Sequence, residues 1–141
     1  MLTRDQAYAI SAHERVLEVK KRKDEGDERY RGYGSMSHKL PILIRTSGLA
    51  QALTFLQARG RGLQPQLLDD LARTVGKESG DDLANSARAV SLPEYMLLTR
   101  QVMDALLWYK RFAQSLLDVE AGDESEEEIE DRQKEMSNGK K

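Results

Sequence analysis

Apolar residues recur at intervals of three and four along this chain, and no period-two alternation runs long enough to make a strand, so only helices are available to build a core. Two segments are the densest, Tyr33 to Arg59 and Tyr95 to Leu117, where apolar residues at helical spacing alternate with arginines, lysines and aromatics. That pattern suits a protein that packs on itself along one side and meets a polyanion along another. It predicts a compact all-α single-domain bundle of five to six helices. At 141 residues one domain buries enough surface to stand without staples, and with no cysteine there are no disulfides and no thiolate metal sites. No apolar run approaches the roughly 20 residues that cross a bilayer, and MLTRDQAYAI lacks the apolar centre of a signal peptide. A soluble cytoplasmic protein with no membrane partner is expected.

The net charge of -2 hides an asymmetry. Residues 1–118 carry 18 Lys and Arg against 15 Asp and Glu, a net of +3, whereas residues 119–141 carry 4 against 9, a net of -5. The domain organisation expected is a helical body over 1–119 and an acidic, disordered tail over 120–141, too poor in apolar residues to fold alone.

Along the body, Thr3 and Gln6 have the spacing of a capping box and open a helix that runs to about Lys23. Glycines 26, 32 and 34 within a mixed charge run mark Asp24 to Gly34 as a loop. A second helix is expected over Ser37 to Ser47, with Pro41 in its first turn or at a kink, and a third from Leu49 to Arg59, closed by Gly60. Pro65 suits the start of a fourth helix reaching Val75, and a short one is expected over Asp81 to Ala89. Ser91 and Glu94 form a second capping-box pattern, and the last helix runs without a breaker to about Val119. On it Val102, Met103, Leu106, Tyr109, Ala113, Leu116 and Leu117 share the core face. Trp108 and Phe112 project elsewhere together with Leu97, either buried in the middle of the bundle or anchoring a partner subunit.

Catalytic readings fail on inventory. His13 and His38 are the only histidines, and neither belongs to a metal-binding pattern. His13, between Ile10 and Leu17, suits a half-buried structural role; Asp69-Asp70 and Asp81-Asp82 are adjacent on helices and diverge, and no phosphate-cradling glycine loop exists. No enzyme activity, metal or cofactor is expected. Polyanion binding has more support: Lys39 and Arg45 flank the Leu40 to Ile44 cluster, Arg59 and Arg61 close the third helix, and Arg100, Lys110 and Arg111 ride on the last one. The run Lys20 to Lys23 wraps around its helix, so helix termination explains it as well as RNA does. Tyr30 and Tyr33 sit where loop aromatics could stack on bases, although packing of Tyr33 against the bundle is the plainer fate.

These segments also carry a resemblance. The Leu40-Pro41 step followed by Ile42, Leu43 and Ile44, the Gly48-Leu49 turn with Ala52 to Phe55, and Tyr95-Met96 with Trp108-Tyr109-Lys110-Arg111-Phe112 resemble the Cmr-type small helical subunit of type III-B CRISPR effector complexes, over about Thr3 to Leu117. No single one of these motifs is specific; their order and spacing carry the match. The resemblance implies a compact all-α protein without catalytic activity of its own, stacked in several copies along the inside of a backbone filament, beside guide RNA and target RNA. Other subunits of the effector complex and copies of itself would be its partners. The acidic tail has no counterpart in that pattern. The competing reading is a helical protein-interaction adaptor with no nucleic-acid role, in which Trp108 and Phe112 dock a protein and the arginines pair with carboxylates.

Overall fold

The computed structural model describes residues 1–123 and 133–137. Its elements run in the order α1 (Arg4–Asp24), α2 (Tyr30–Ser47), α3 (Leu49–Arg59), α4 (Gln64–Thr74), α5 (Gly80–Ala89) and α6 (Leu92–Leu117). A further helical turn lies at 133–137, and there is no strand among the described residues, so the expected all-α bundle is the one found. The disorder expected of the acidic tail falls largely on residues outside the described ones.

Local chemistry sets most of the boundaries. Thr3 accepts from the Gln6 N–H while the Gln6 side chain takes the Thr3 N–H, and α1 ends with Lys21, Arg22 and Lys23 at the negative end of its dipole. Gly48, at φ 86°, turns the chain from α2 into α3, and α3 keeps its expected span. Pro65 sits in the first turn of α4, and Ser79 caps α5 by accepting from the Asp82 N–H.

The long helices define the frame. Trp108 Nε1 donates to Asp5 at 3.0 Å, the His13 and Phe112 rings meet edge-on at 5.1 Å, and Lys23 Nζ donates to the Leu117 carbonyl at 3.1 Å, so α1 and α6 advance together in parallel. In contrast, α2 runs antiparallel to α6: its first turns lie against Val119, and just past its end the Ala50 N–H donates to the Tyr95 hydroxyl at 3.1 Å. Val16, Leu40, Leu53, Leu71, Leu106 and Tyr109, none accessible to solvent, fill the space enclosed. Through this core runs one polar network. The Tyr33 hydroxyl donates to Asp70 Oδ2 at 2.7 Å, Gln66 Nε2 donates to Asp70 Oδ1 at 2.7 Å, and Arg15 stands 3.9 Å from the same oxygen. The Tyr109 hydroxyl lies 3.0 Å from the Asp70 carbonyl and 2.7 Å from Thr74, whose oxygen meets Ser11 at 2.8 Å. Four helices are thereby tied at one point.

Several expectations are corrected. The stretch read as a loop to Gly34 is helical from Tyr30, and residues 32–38 are buried. Tyr33 is fully enclosed there rather than offered to bases, and Gly34 admits Val119 so closely that a Cβ would lie 2.8 Å from its side chain. Packing outweighs the helix propensity that each glycine loses, about 1 kcal/mol. Pro41, expected at the first turn or a kink, sits buried inside a helix that continues past it. Ser91 makes no side-chain cap bond, so the second capping box is absent, and Glu94 is merely an acid in the first turn. α6 stops at Leu117 because Asp118 adopts the left-handed conformation, φ 56°, and the Val119 N–H returns to the Ala113 carbonyl at 3.0 Å. His13 is exposed at the edge of Phe112 rather than half-buried.

The segment after α6 is strapped across α2. His38 Nε2 lies 2.8 Å from the Val119 carbonyl, which can only accept, so Nε2 carries a proton. Its buried Nδ1 has no hydrogen-bond partner among the described residues, while Ser35 donates to the Asp123 carbonyl at 3.1 Å. Gly34→Ala is therefore expected to push Val119 out, at a cost of about 1–3 kcal/mol of overpacking. Hydrogen exchange at the Val119 amide should rise well above that of the α6 core, and protection equal to wild type would show that the neighbouring chain gives way without loss.

Candidate nucleic-acid interface

Of the basic residues singled out in the sequence, Arg45, Arg59, Arg100 and Arg111 are exposed, while Lys39, Arg61 and Lys110 are partly buried. Their grouping follows from helical geometry, about 100° per residue. On α6, Lys110, Met96, Leu107, Arg100 and Arg111 fall within an arc of about 100° outside the buried stripe, and Met103, in the same arc near its core-side edge, is partly buried against the core. The only carboxylate between Tyr95 and Leu117, Asp104, lies at the edge of this arc and pairs with Arg4 of α1. On α2, Arg45, Ile42 and Lys39 span about 120° of the outer surface.

The antiparallel register sets the two arcs, on helices that pack against each other, at matching heights. With Val119 beside Gly34 and His38, and Tyr95 beside Ala50, Arg45 falls level with the Arg100–Met103 turn and Lys39 with the Leu107–Lys110 turn. Together the two arcs carry Lys39, Arg45, Arg100 and Lys110, with Arg111 at their border. Ile42, Met96 and Leu107 are exposed between them. Arg59 and Arg61 do not join the arcs; α3 carries them about 16 Å from the turn at Gly48.

One signal of these arcs in the sequence lies in what is missing rather than in any single residue. Between Glu28 and Asp69 there is no carboxylate at all, so α2 and α3 contribute Arg31, Lys39, Arg45 and Arg59 with no acid on either helix. The acids of the body are concentrated elsewhere, chiefly on α1, the loop after it, α4 and α5. An even-looking +3 for the body is thus the sum of a basic half and a mixed half.

The other sites fall as follows. Trp108 and Phe112 are partly buried against α1, with ring centroids 5.9 Å apart in a stacked arrangement, and Arg111 covers the Trp108 ring at 5.0 Å. They are half covered, neither enclosed all round nor a free surface, whereas Leu97 is exposed. The Lys20 to Lys23 run is engaged locally: Lys20 with Asp24 at 3.2 Å, Lys21 with Glu18 at 2.9 Å, and Lys23 with Asp118 at 3.3 Å. Tyr30 lies between Lys23 and Arg31, 5.2 and 5.7 Å from its ring centroid. No helix among the described residues is long and apolar enough to cross a membrane.

The fold is that of a small all-α protein whose outer arcs on α2 and α6 carry exposed cations and apolar side chains. The family described as CRISPR-associated protein (Cas_Cmr5) matches residues 4–116. The chain is 42% identical, over 118 residues covering 84% of its length and 99% of the relative's, to the CRISPR system Cmr subunit Cmr5 of Thermus thermophilus. The crystal structure of a CRISPR-associated Cmr5 family protein from the same organism is also 42% identical and superposes with a TM-score of 0.73, covering 83% of this chain and 99% of that one. The chain belongs to the CRISPR-associated Cmr5 family, and the matched residues coincide with the stretch that carries the resemblance described above.

Proposed function

We propose that this chain is a non-catalytic small subunit of a type III-B CRISPR ribonucleoprotein, lying beside copies of itself inside the backbone filament, where its α2–α6 face helps hold target RNA against the guide RNA while another subunit cleaves. The observation that carries this reading is the carboxylate-free run from residue 29 to 68, set beside an α6 whose one acid after its first turn pairs with Arg4. Lysines and arginines on such a face neutralise phosphates without reading sequence, as a subunit that must accept any target requires. Apolar Ile42, Met96 and Leu107 between them suit contact with bases or with a neighbouring subunit. A body charge of only +3 gives weak binding per copy, and repetition along a filament supplies the strength.

The test is replacement of Arg45 and Lys110 together by Glu in the assembled complex. Arg45 is exposed, and neither side chain takes part in the core, so the far-ultraviolet helix signal should be unchanged. Target-RNA retention should fall, and the log–log salt slope should lose about 1.4, at about 0.7 per phosphate on a single strand. An unaltered slope would show that this face is not where phosphates lie. Binding that is nearly insensitive to salt in the unsubstituted protein would favour the adaptor reading instead.

A further inference from the structure

Away from the basic face, the C-terminal half of α2 joins α3 and α5 around a groove of about 450 Å³ lined by Leu43, Ser47, Ala50, Gln51, Phe55 and Arg88. Phe55 stands at its edge with 49% of its surface exposed, unusual for a side chain of that size. Leu43 and Ser47 each lie about 160° around α2 from Arg45, so the groove opens on the side opposite the proposed RNA contact.

The cation lining it is poised for a carboxylate. Arg88 donates to Thr54 Oγ1 at 2.8 Å, to Gln57 Oε1 at 3.2 Å and to Asn85 Oδ1, all neutral acceptors. These bonds hold the guanidinium in place without neutralising its charge, and they leave further N–H groups for a ligand. Helices α2 and α3, which form most of the walls, contain no acid. A nucleic-acid strand is a poor match, because one cation on apolar walls gives no series of phosphate contacts. A bulky apolar side chain with a carboxylate nearby matches both features: the walls exclude water around the first, and the fixed fork takes the second.

We infer that the groove between α2, α3 and α5 docks an acidic amphipathic segment of a different protein subunit, seating an apolar side chain against Leu43, Ala50 and Phe55 and pairing a carboxylate with Arg88. This rests on the chain being one subunit of an assembly and is independent of the RNA face. The experiment places p-benzoylphenylalanine at position 55 in the purified effector complex and maps the photocrosslink by mass spectrometry. The expected product joins position 55 to a different subunit, within one helical turn of an Asp or Glu. Arg88→Glu should lower its yield about tenfold, the loss of one charge-assisted pair, and Arg88→Gln should lower it less. A crosslink to RNA, to a second copy of this chain or to a segment without acids overturns the proposal. No crosslink at all, or a yield indifferent to both Arg88 substitutions, overturns it too. The Arg45 and Lys110 replacements should leave the product intact, so failure of one proposal is distinguishable from failure of the other.

Discussion

Asp70→Ala is expected to lower the stability of the bundle by about 3–5 kcal/mol, the usual cost of removing one partner from a buried charged network. The side chain accepts from Tyr33 and Gln66, both at 2.7 Å, and faces Arg15 at 3.9 Å. Truncation leaves the hydroxyl of the fully buried Tyr33 without its acceptor, a penalty of about 1–3 kcal/mol by itself. Against a total of about 5–15 kcal/mol for a domain, that is a large fraction. A urea midpoint shifted down with an unchanged slope is the expected readout, and a shift worth less than about 1 kcal/mol would show that the network adds nothing net. Asp70→Asn retains an acceptor for Tyr33 and should cost less. Burial raises the Asp70 carboxyl above the ordinary range, although the bonds from Tyr33 and Gln66 and the nearby Arg15 pull it down. With the folded value above the unfolded one, this group's contribution is greatest below about pH 4 and is lost as pH rises through the raised value. The Asn variant, which lacks that dependence, should accordingly compare better with wild type at neutral pH than in acid.

The same network explains what could and could not be read from the residues. Helices α1 and α3 follow from local chemistry, since Thr3, Gln6, Gly48 and Gly60 act within a few residues of themselves. The start of α2 was not legible because its determinants are distant: Tyr33 is held by Asp70 of α4, and Gly34 is occupied by Val119, beyond the end of α6. A glycine that turns a loop and a glycine that admits a neighbouring side chain are alike in sequence. The core stripe of α6 was legible in outline, with Val102, Leu106, Tyr109, Ala113 and Leu117 buried and Met103 and Leu116 partly so. Trp108 and Phe112 could not be placed from one helix, because it is α1, running parallel, that covers them. For the basic face, each cation was visible singly, but only the antiparallel pairing of α2 with α6 separates Lys39, Arg45, Arg100 and Lys110 from Arg59 and Arg61. Arg88 carries no signal of its own in the sequence, because its groove is assembled from three helices that are not all consecutive.

Stability is also expected to collapse in alkali, with Tyr33 and Tyr109 alone removing about 2.7 kcal/mol for each pH unit above 10 while both stay protonated in the folded state. Tyr33 and Tyr109 are fully buried, and desolvation raises both hydroxyls above their ordinary value, with the Asp70 carboxylate adding to the rise. In the unfolded chain the same groups ionise near pH 10. Above that point the unfolded state sheds two protons that the folded state keeps, so the equilibrium moves toward unfolding at about 1.4 kcal/mol per proton per unit, and the stability fully present below pH 10 is lost. Tyrosinate absorbance followed alongside the helix signal separates the cases. Tyr33 and Tyr109 should remain protonated until the helices melt and then ionise with the melting. Tyr109→Phe should remove about half of the steepening, since Phe has no proton to lose. If all five tyrosines ionise near pH 10 with the helices intact, Tyr33 and Tyr109 are reachable by hydroxide in the folded bundle, and the polar knot joining α1, α2, α4 and α6 is not closed to water.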